Sequence, residues 1–254
     1  MFFSKACLRR DVEPHKIADL LKGDGYQIHK MVWRLFRDDQ IGDRDFIYRY
    51  DGMNGLPTFF TVSKRQPEDN GGIWDIQTKP YEPKFSDGEK LTLKLRVNPV
   101  VIDKQERSAE EIEIWRTNRE SKHYPKKEPT KKRIRHDVVM EAKHQIHYKN
   151  LSQEERPLVA EIIQEAGIGW LKDQQAGGGF VIGGSIANPH VRVDGYHQHK
   201  LFKGRGEKPI SFSTLEFNGI LTVTESMTFI EKTLFKGIGP AKGFGCGLMM
   251  VRRV

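Results

Sequence analysis

Apolar positions near the start of the chain follow the spacing of a helix. In residues 26–36 they recur at i, i+3, i+4, i+7 and i+8, at Ile28, Met31, Val32, Leu35 and Phe36. This spacing predicts a helix, running to about Arg37, with one face against a core. A strand at 2–8 and a shorter helical stretch from Pro14, interrupted at Gly23 to Gly25, are predicted before it.

Segments that look like strands follow this helix. Residues 45–50 and 57–63 have strand character and are separated by a hairpin-type turn at 51–55. After a stretch rich in proline and glycine at 66–88, residues 90–97 alternate and stop at Asn98-Pro99. We therefore expect a first domain over residues 1–98.

The second half of the chain repeats strands and helices. Helices are predicted over 137–149 and 152–166, the latter opened by Ser152 and Glu155 as a capping box. In the glycine-rich stretch 167–206, short strand-like pieces could form a hairpin. The remaining predicted elements are a strand over 212–223, a helix over 225–236 with Thr224 as N-cap, and a strand over 248–251.

The order of these elements predicts the fold class. Two tandem ferredoxin-like (βαββαβ) domains, an α+β fold, fit both the length of 254 residues and the sequence of strands and helices. The second domain is expected to span residues 99–254 and to contain a basic loop and a glycine-rich loop.

Charge points to a partner for the second domain. The net charge is +8, and residues 116–135 hold nine Lys/Arg against Glu120 and Glu128. Such a block attracts phosphate backbones, although a solvated loop has the same composition. The RNA-binding candidates in this block are Lys131, Lys132, Arg133 and Arg135.

Localisation is expected to be cytoplasmic, without a membrane partner. No run of about 18 apolar residues is present, and Met1-Phe2-Phe3-Ser4-Lys5 lacks the order of a secretory signal. Cys7 and Cys246 lie in apolar, strand-like segments, where a thiol is usually a small buried hydrophobe.

The segment 237–247 reads Gly-Ile-Gly-Pro-Ala-Lys-Gly-Phe-Gly-Cys-Gly. Glycines let backbone N–H groups approach a phosphate, but the order helix, loop, strand is the reverse of the common nucleotide-binding loops. Backbone amides and a lysine would then hold the anion; the alternative is a helix C-cap at Gly237 followed by a packing loop. The binding candidates here are Gly237, Gly239, Lys242, Gly243 and Gly245.

This loop, preceded by Phe217-x-Gly219-x-Leu221-x-Val223, closely resembles the end of the CasE family. These are the guide-RNA-processing ribonucleases of the Cascade type, which carry paired ferredoxin-like domains. Ala241 stands where a second glycine is common in that family.

The family's nuclease residues lie in a Tyr-x-x-His pair, and Tyr26-Gln27-Ile28-His29 matches it on the first helical region. Periodicity places His29 at the edge of the core face, where a histidine is more often structural or exposed. The resemblance implies catalysis by His29, whose imidazole suits proton transfer near neutral pH as acid or base.

Three further residues are considered for the same site. The resemblance implies that Tyr26 orients the sugar-phosphate or completes the proton transfer, and simple surface packing is its alternative. Lys242, favoured over Lys30 by its place in the motif, would stabilise the charge of the transition state. Trp33 could wall the site, stack a base or pack in the core.

No metal or cofactor is expected. His144 with His147 and His197 with His199 could each supply two ligands, but no third acid or cysteine lies near either pair. His197, His199 and Lys200 are better interpreted as part of a basic hairpin against RNA, with Lys200 as a further RNA-binding candidate; solvated loop residues are the alternative.

Together these features predict a metal-independent endoribonuclease that binds the stem-loop of a CRISPR repeat transcript. The resemblance implies a cut at the 3′ base of the stem, which leaves a 5′-hydroxyl and a 2′,3′-cyclic phosphate. It also implies mature guide RNA and other Cascade subunits as partners. The alternatives are an RNA-binding subunit without catalysis and a metal-dependent nuclease, against which the scarcity of clustered carboxylates argues.

Overall fold

A computed structural model of the chain describes residues 1–13, 15, 25–36, 44–53, 56–120, 130–184, 189–202 and 206–254. Most of the helical stretch expected from Pro14, the centre of the turn at 54–55 and the basic residues between 121 and 129 lie outside this described part. Within it, no helix is long and apolar enough to cross a membrane.

Eleven strands are present in the described residues. They are β1 (Phe2–Leu8), β2 (Phe46–Met53), β3 (Leu56–Ser63), β4 (Trp74–Pro80), β5 (Lys90–Val97), β6 (Val100–Glu106), β7 (Lys131–Asp137), β8 (Phe180–Ile182), β9 (Val191–Leu201), β10 (Ile210–Val223) and β11 (Met249–Arg253). The helices are α1 (Gly25–Arg34), α2 (Ala109–Glu120), α3 (Val138–Gln145), α4 (Val159–Gly178) and α5 (Ser226–Thr228). The turn α5 continues as a π-helix at Phe229–Phe235, and 3-10 turns lie at Tyr148–Asn150 and Lys242–Phe244.

The first sheet has the order β2-β3-β1-β4, with every pair antiparallel. This is the strand order of a ferredoxin-like fold. Helix α1 follows β1 and buries the predicted apolar face, including Met31 and Val32, against Phe59 and other core residues of the sheet. The helix predicted from hydrophobic spacing is therefore confirmed, although it ends at Arg34.

Strand β4 is an edge strand that we did not expect within residues 66–88. No helix connects it to β3, because Pro67, Gly71 and Gly72 disfavour helical backbone in that segment. Instead, the carboxylate of Asp69 accepts hydrogen bonds from the backbone N–H groups of Gly71, Ile73 and Trp74. The first unit is thus a ferredoxin-like sheet with one crossover helix.

The second sheet has the order β11-β5-β10, with β8 and β9 pairing successive parts of the far edge of β10. All pairs are antiparallel, and this order again matches a ferredoxin-like unit. The expected α+β class with two tandem ferredoxin-like units is confirmed. The strand-like pieces at 180–182 and 191–193, which could have formed a hairpin, both pair with β10, and only Gly184 and Pro189 between them form an antiparallel bridge among the described residues.

Strand β5 lies within residues 1–98, the range expected for the first domain, yet it pairs with β10 and β11 of the second sheet. The chain therefore passes from one sheet to the other between β4 and β5. Asn98-Pro99 ends β5 and leads directly into β6, so the break in the sequence marks the start of an insertion. This insertion comprises the antiparallel pair β6–β7 and helix α2.

Two helix starts differ from the expectation. The carboxylate of Glu155 accepts the backbone N–H of Ser152, one of the two bonds of a capping box, and also the Ser152 hydroxyl. Pro157 disfavours helical backbone at Arg156, however, and α4 begins only at Val159. Glu225, not Thr224, precedes α5, and the carboxylate of Asp87 accepts the N–H of Ser226 there.

A bulge in β9 changes the direction of its side chains. Thr214 pairs with His197 and Glu216 with Asp194, so two residues of β9, Gly195 and Tyr196, oppose one residue of β10. Gly195 has a φ of 61°, the left-handed conformation that glycine adopts at this kind of bulge. Beyond the bulge His197 and His199 share a face with their partners Thr214 and Phe212, whereas Val191 and Val193 before it are buried in the core.

Charged residues join the two sheets. Arg49 of β2, only 1% exposed, donates hydrogen bonds to Asp51 at 3.0 Å and to Glu216 of β10 at 3.0 Å. Arg96 of β5 donates to the other oxygen of Glu216 and to the carbonyl of Tyr50. The first sheet is therefore tied to the second by ion pairs as well as by apolar contacts.

Candidate active site between helix α1 and the glycine loop

The glycine loop, residues 237–247, is held by close contacts between its two ends. Gly237 and Gly247 have φ values of 73° and 94°, and Ile238 N–H donates to the carbonyl of Gly247 at 3.0 Å. A Cβ on Gly237 would lie 2.8 Å from that carbonyl oxygen. Gly237 therefore ends the preceding helix and begins a packed turn, which supports the packing interpretation for these two glycines.

We expect Gly237→Ala to lower the free energy of unfolding by about 1–3 kcal/mol, because alanine is strained at this φ and its Cβ meets the carbonyl of Gly247. Gly72→Ala is the matched control, since Gly72 has a φ of 66° but open space around its Cβ position. Urea denaturation should show the larger loss for Gly237→Ala. Equal losses of stability in the two variants would mean that the close approach of a Cβ at position 237 to the Gly247 carbonyl has no energetic cost.

The middle of the loop contacts helix α1. The Nδ1 atom of His29 lies 2.5 Å from the carbonyl oxygen of Gly243, and the hydroxyl of Tyr48 donates to the same oxygen at 2.8 Å. Burial raises the pKa of the Tyr48 hydroxyl, which keeps it protonated as a donor. His29 of α1 and Tyr48 of β2 thus both bond the carbonyl oxygen of Gly243 in the glycine loop.

This contact determines which nitrogen of His29 carries the proton. A carbonyl oxygen can only accept, so Nδ1 is the N–H donor in the neutral ring. Nε2 is then the nitrogen with a lone pair, able to take a proton and later return it. The arrangement prepares His29 for acid–base chemistry at Nε2.

Aromatic rings surround His29. The ring centroid of Tyr26 lies 5.7 Å away in a stacked orientation, that of Trp33 5.8 Å away and that of Phe244 5.3 Å away. His29 and Tyr26 are half-buried, so the predicted pair is brought together at the surface next to the loop. Trp33 contacts both His29 and the core residue Phe46, which is compatible with a wall of the site and with core packing.

Arg44 is a site residue that the sequence patterns did not indicate. Its guanidinium lies 3.1 Å from the position that a Cβ of Gly243 would occupy, and the His29 ring lies 3.5 Å from the same position. No periodicity or motif includes Arg44; its position directly before β2, whose Tyr48 bonds the loop, is the only signal. A Cβ on Gly243 would require the guanidinium of Arg44 to shift by a few tenths of an ångström.

Lys242 and Arg44 line a cleft of about 930 Å³ together with Lys64 and Lys236. Burial lowers the pKa of the Lys242 ammonium, and the nearby charge of Arg44 lowers it further. Burial also lowers the pKa of Arg44, and no carboxylate of the described residues pairs with it. Two half-buried cations side by side favour an anion such as phosphate between them.

Ala241 and Cys246 complete the loop. Ala241 has a φ of 56°, a conformation that glycine adopts without strain and that alanine adopts at a cost. Burial raises the pKa of the Cys246 thiol to about 12, so it is neutral and behaves as a small apolar side chain.

The other predicted binding residues lie on different elements. Lys131, Lys132, Arg133 and Arg135 belong to β7, in the β6–β7 pair; Lys131 contacts Glu106 at 2.9 Å and Lys132 contacts Glu111 at 2.7 Å. Lys200 is exposed on β9, with its ammonium 5.8 Å from the ring centroid of Phe202. Surface ion pairs of this kind are weak, so phosphates can replace the carboxylates.

The two histidines of each predicted pair lie close together. The rings of His144 and His147 are 6.5 Å apart and those of His197 and His199 4.5 Å apart. In the part of the chain that the structure describes, no group of three or more His, Cys, Asp or Glu side chains is arranged to hold a metal ion.

Comparison with known proteins gives consistent matches over almost the whole chain. A family model described as CRISPR associated protein matches residues 1–253. The Cascade subunit CasE of Escherichia coli strain K12 is 25% identical over 241 residues, which cover 92% of this chain and 94% of that protein.

Solved structures match the fold. The endoribonuclease Cse3 bound to a 19-nucleotide RNA has a TM-score of 0.62 at 19% identity, covering 99% of this chain and all of that one. Thermus thermophilus Cse3, bound to an RNA that represents a pre-cleavage complex, has a TM-score of 0.60 at 18% identity, covering 99% and 98%. At 18–19% identity, the likeness shows a shared fold and nothing further.

Proposed function

Because the chain belongs to the CasE family of CRISPR-associated proteins, we propose that it is an endoribonuclease that processes CRISPR repeat RNA. It binds the stem-loop of the repeat in the precursor and cuts at the 3′ base of the stem. The observation that carries this proposal is the contact between His29 Nδ1 and the Gly243 carbonyl, which leaves Nε2 as the proton acceptor.

The proposed reaction uses the RNA's own 2′-hydroxyl as nucleophile. His29 Nε2 removes the proton of that hydroxyl, the 2′-oxygen forms a bond to phosphorus, and the bond from phosphorus to the 5′-oxygen breaks. Tyr26, stacked on His29, gives its phenolic proton to the departing 5′-oxygen. His29 then releases its extra proton to solvent, and Tyr26 regains one from solvent. The products are a 2′,3′-cyclic phosphate and a 5′-hydroxyl, and no metal takes part.

Phosphate positioning is the proposed role of Arg44 and Lys242. Their half-buried charges line the cleft beside Gly243 and would neutralise the additional negative charge that develops on the phosphate during the reaction. The amides of Gly237, Gly239, Gly243 and Gly245 are the further candidates of this loop for contacts to the RNA backbone.

Binding of the stem is assigned to the basic residues outside this site. An A-form stem is recognised mainly through its shape and phosphates, for which the lysines and arginines of β7 and Lys200 on β9 are suited. Because the E. coli relative is a Cascade subunit, mature guide RNA and other Cascade subunits are the proposed partners.

Cleavage without a metal can be tested with two RNAs in EDTA. One is the repeat RNA encoded with this protein, and the other carries a 2′-deoxy sugar just upstream of the expected cut. We expect cleavage of the first only, with a cyclic phosphate on its 5′ fragment, as detected by mass spectrometry. Tight binding of both RNAs without cleavage would instead indicate an RNA-binding subunit, and cleavage restored only by added Mg²⁺ would indicate a metal-dependent nuclease.

A further inference from the structure

A cleft of about 530 Å³ lies next to His29 and is distinct from the cationic cleft of Arg44 and Lys242. We refer to it as the ring cleft; its lining includes Ile28, Tyr50, His197, His199, Phe212 and Phe244. Ile28 directly precedes His29, and Phe244 directly follows Gly243. Phe244 also contacts His29, so the lining of the ring cleft reaches from the site of the proposed reaction to β9 and β10.

Four ring contacts run in sequence along this cleft. The centroid of Phe244 lies 5.3 Å from that of His29 and 5.2 Å from that of Phe212. Phe212 is stacked on His199 at 4.6 Å with an angle of 15°, and His199 contacts His197 at 4.5 Å. Phe212, Phe244 and His199 are half-buried and His197 is exposed, so the rings form a wall that solvent reaches.

The bulge at Gly195 places two of these rings. Without it, continued alternation along β9 would keep His197 and His199 on the same side as Val191 and Val193, which face the core. Beyond the bulge both histidines instead share the face of Phe212. The kink in β9 thus serves to complete the wall of the ring cleft.

The His199 ring in this wall is neutral at physiological pH. Burial, together with the charges of His197 and Arg96, lowers the pKa of His199 to about 4, and its Nε2 lies 2.9 Å from the hydroxyl of Thr214. His199 thus does not contribute the positive charge that we expected of a basic hairpin. Arg96 and Glu216, which also line the ring cleft, are paired with each other.

We propose that the ring cleft holds the unstacked nucleobase of a nucleotide that adjoins the bond that is cut. This inference rests on the proposed function and adds a specificity site to it. The cleft has room for one base, its half-exposed rings provide an aromatic lining, and one of those rings, Phe244, contacts His29. Holding that base outside the stem would place the neighbouring 2′-hydroxyl and phosphate at His29.

The competing interpretation is that the rings only pack the glycine loop against β10. The two interpretations differ in one measurable respect. If a base stacks in the ring cleft, removing either the base or the ring loses the same interaction, so the two changes are not additive. A purely structural ring would leave the cost of removing the base unchanged.

The test measures equilibrium binding of RNAs that cannot be cut, because they carry a 2′-deoxy sugar at the cleavage position. One RNA is otherwise intact, and two others each lack the base on one side of the cut while keeping sugar and phosphate. Each is titrated against the wild-type protein, Phe212→Leu and Phe3→Leu. Phe3 is a half-buried ring of the first sheet, stacked on Phe60 and outside the ring cleft, so its variant controls for the loss of a ring.

We expect the wild-type protein and Phe3→Leu to bind one of the two RNAs that lack a base about tenfold more weakly than the intact RNA. In Phe212→Leu this penalty should fall to about twofold or less. An equal penalty in all three proteins, or no penalty at either position, would overturn the proposal. Nothing is cut in this assay, so its result does not depend on whether the protein is a nuclease. If the penalty is unchanged in Phe212→Leu while the EDTA experiment shows cleavage, only this inference fails. If the penalty falls in Phe212→Leu but the EDTA experiment shows no cleavage, only the proposed function fails.

Discussion

His29→Ala is expected to lower the rate of RNA cleavage by about 10²–10⁴-fold while leaving RNA affinity nearly unchanged. The variant removes the only group that we assign to proton removal from the 2′-hydroxyl. The fold should persist, because the Gly243 carbonyl keeps its hydrogen bond from the hydroxyl of Tyr48. Single-turnover cleavage and filter binding, measured on the same preparation, separate the two effects.

His144→Ala provides the matched control for this variant. His144 is an exposed histidine on a helix, away from the glycine loop, and its loss should change neither rate nor affinity. If His29→Ala cut RNA within a few-fold of the wild-type rate, imidazole catalysis at this position would be wrong. Equal losses in affinity and rate would instead make His29 a binding residue.

Arg49→Met is expected to lower the free energy of unfolding by about 3–5 kcal/mol. Methionine has a similar length but no charge, so Asp51 and Glu216 would lose the guanidinium that bridges them in a buried site. Arg96 and Lys94 pair with the same carboxylates from β5, but they are more exposed than Arg49. Guanidinium chloride denaturation gives the free energy directly.

Arg253→Met is the control for this second variant. Arg253 pairs with Glu89 at 2.7 Å but is 70% exposed, so its loss should cost about 1 kcal/mol or less. A comparable loss of unfolding free energy in both variants would mean that the burial of Arg49 does not increase the cost of removing its charge. The size of the difference measures how strongly the ion pairs hold the two sheets together.

Local patterns predicted much of the fold. The apolar spacing of α1 and the alternation of β1 and β5 are strong because each element buries one face. Strands β2 and β3 were recognised from their strand-forming residues, although they are buried on both faces. Strand β4 was missed because Trp-Asp-Ile-Gln-Thr-Lys-Pro has few apolar residues and ends in proline, which suits an edge strand. The start of α4 was misplaced because Ser152 and Glu155 bond each other in a turn that Pro157 prevents from continuing as a helix.

The candidate site was predicted only in part, since it depends on contacts between distant residues. The motif at Tyr26 and His29 and the glycine loop were each visible, and the resemblance to the CasE family connected them. The contact of His29 with Gly243 spans 214 residues, which no local pattern encodes. Arg44 belongs to no motif, and the direction of His197 and His199 depends on a bulge that alternation does not reveal.

The distance along the chain between His29 and the glycine loop has a consequence for synthesis. The ribosome makes His29 early, whereas the carbonyl that orients its imidazole belongs to Gly243, which emerges 214 residues later. An unfinished chain therefore carries the histidine without the partner that fixes its proton. We therefore expect the proposed RNA cleavage to become possible only after the glycine loop has left the ribosome and docked against α1.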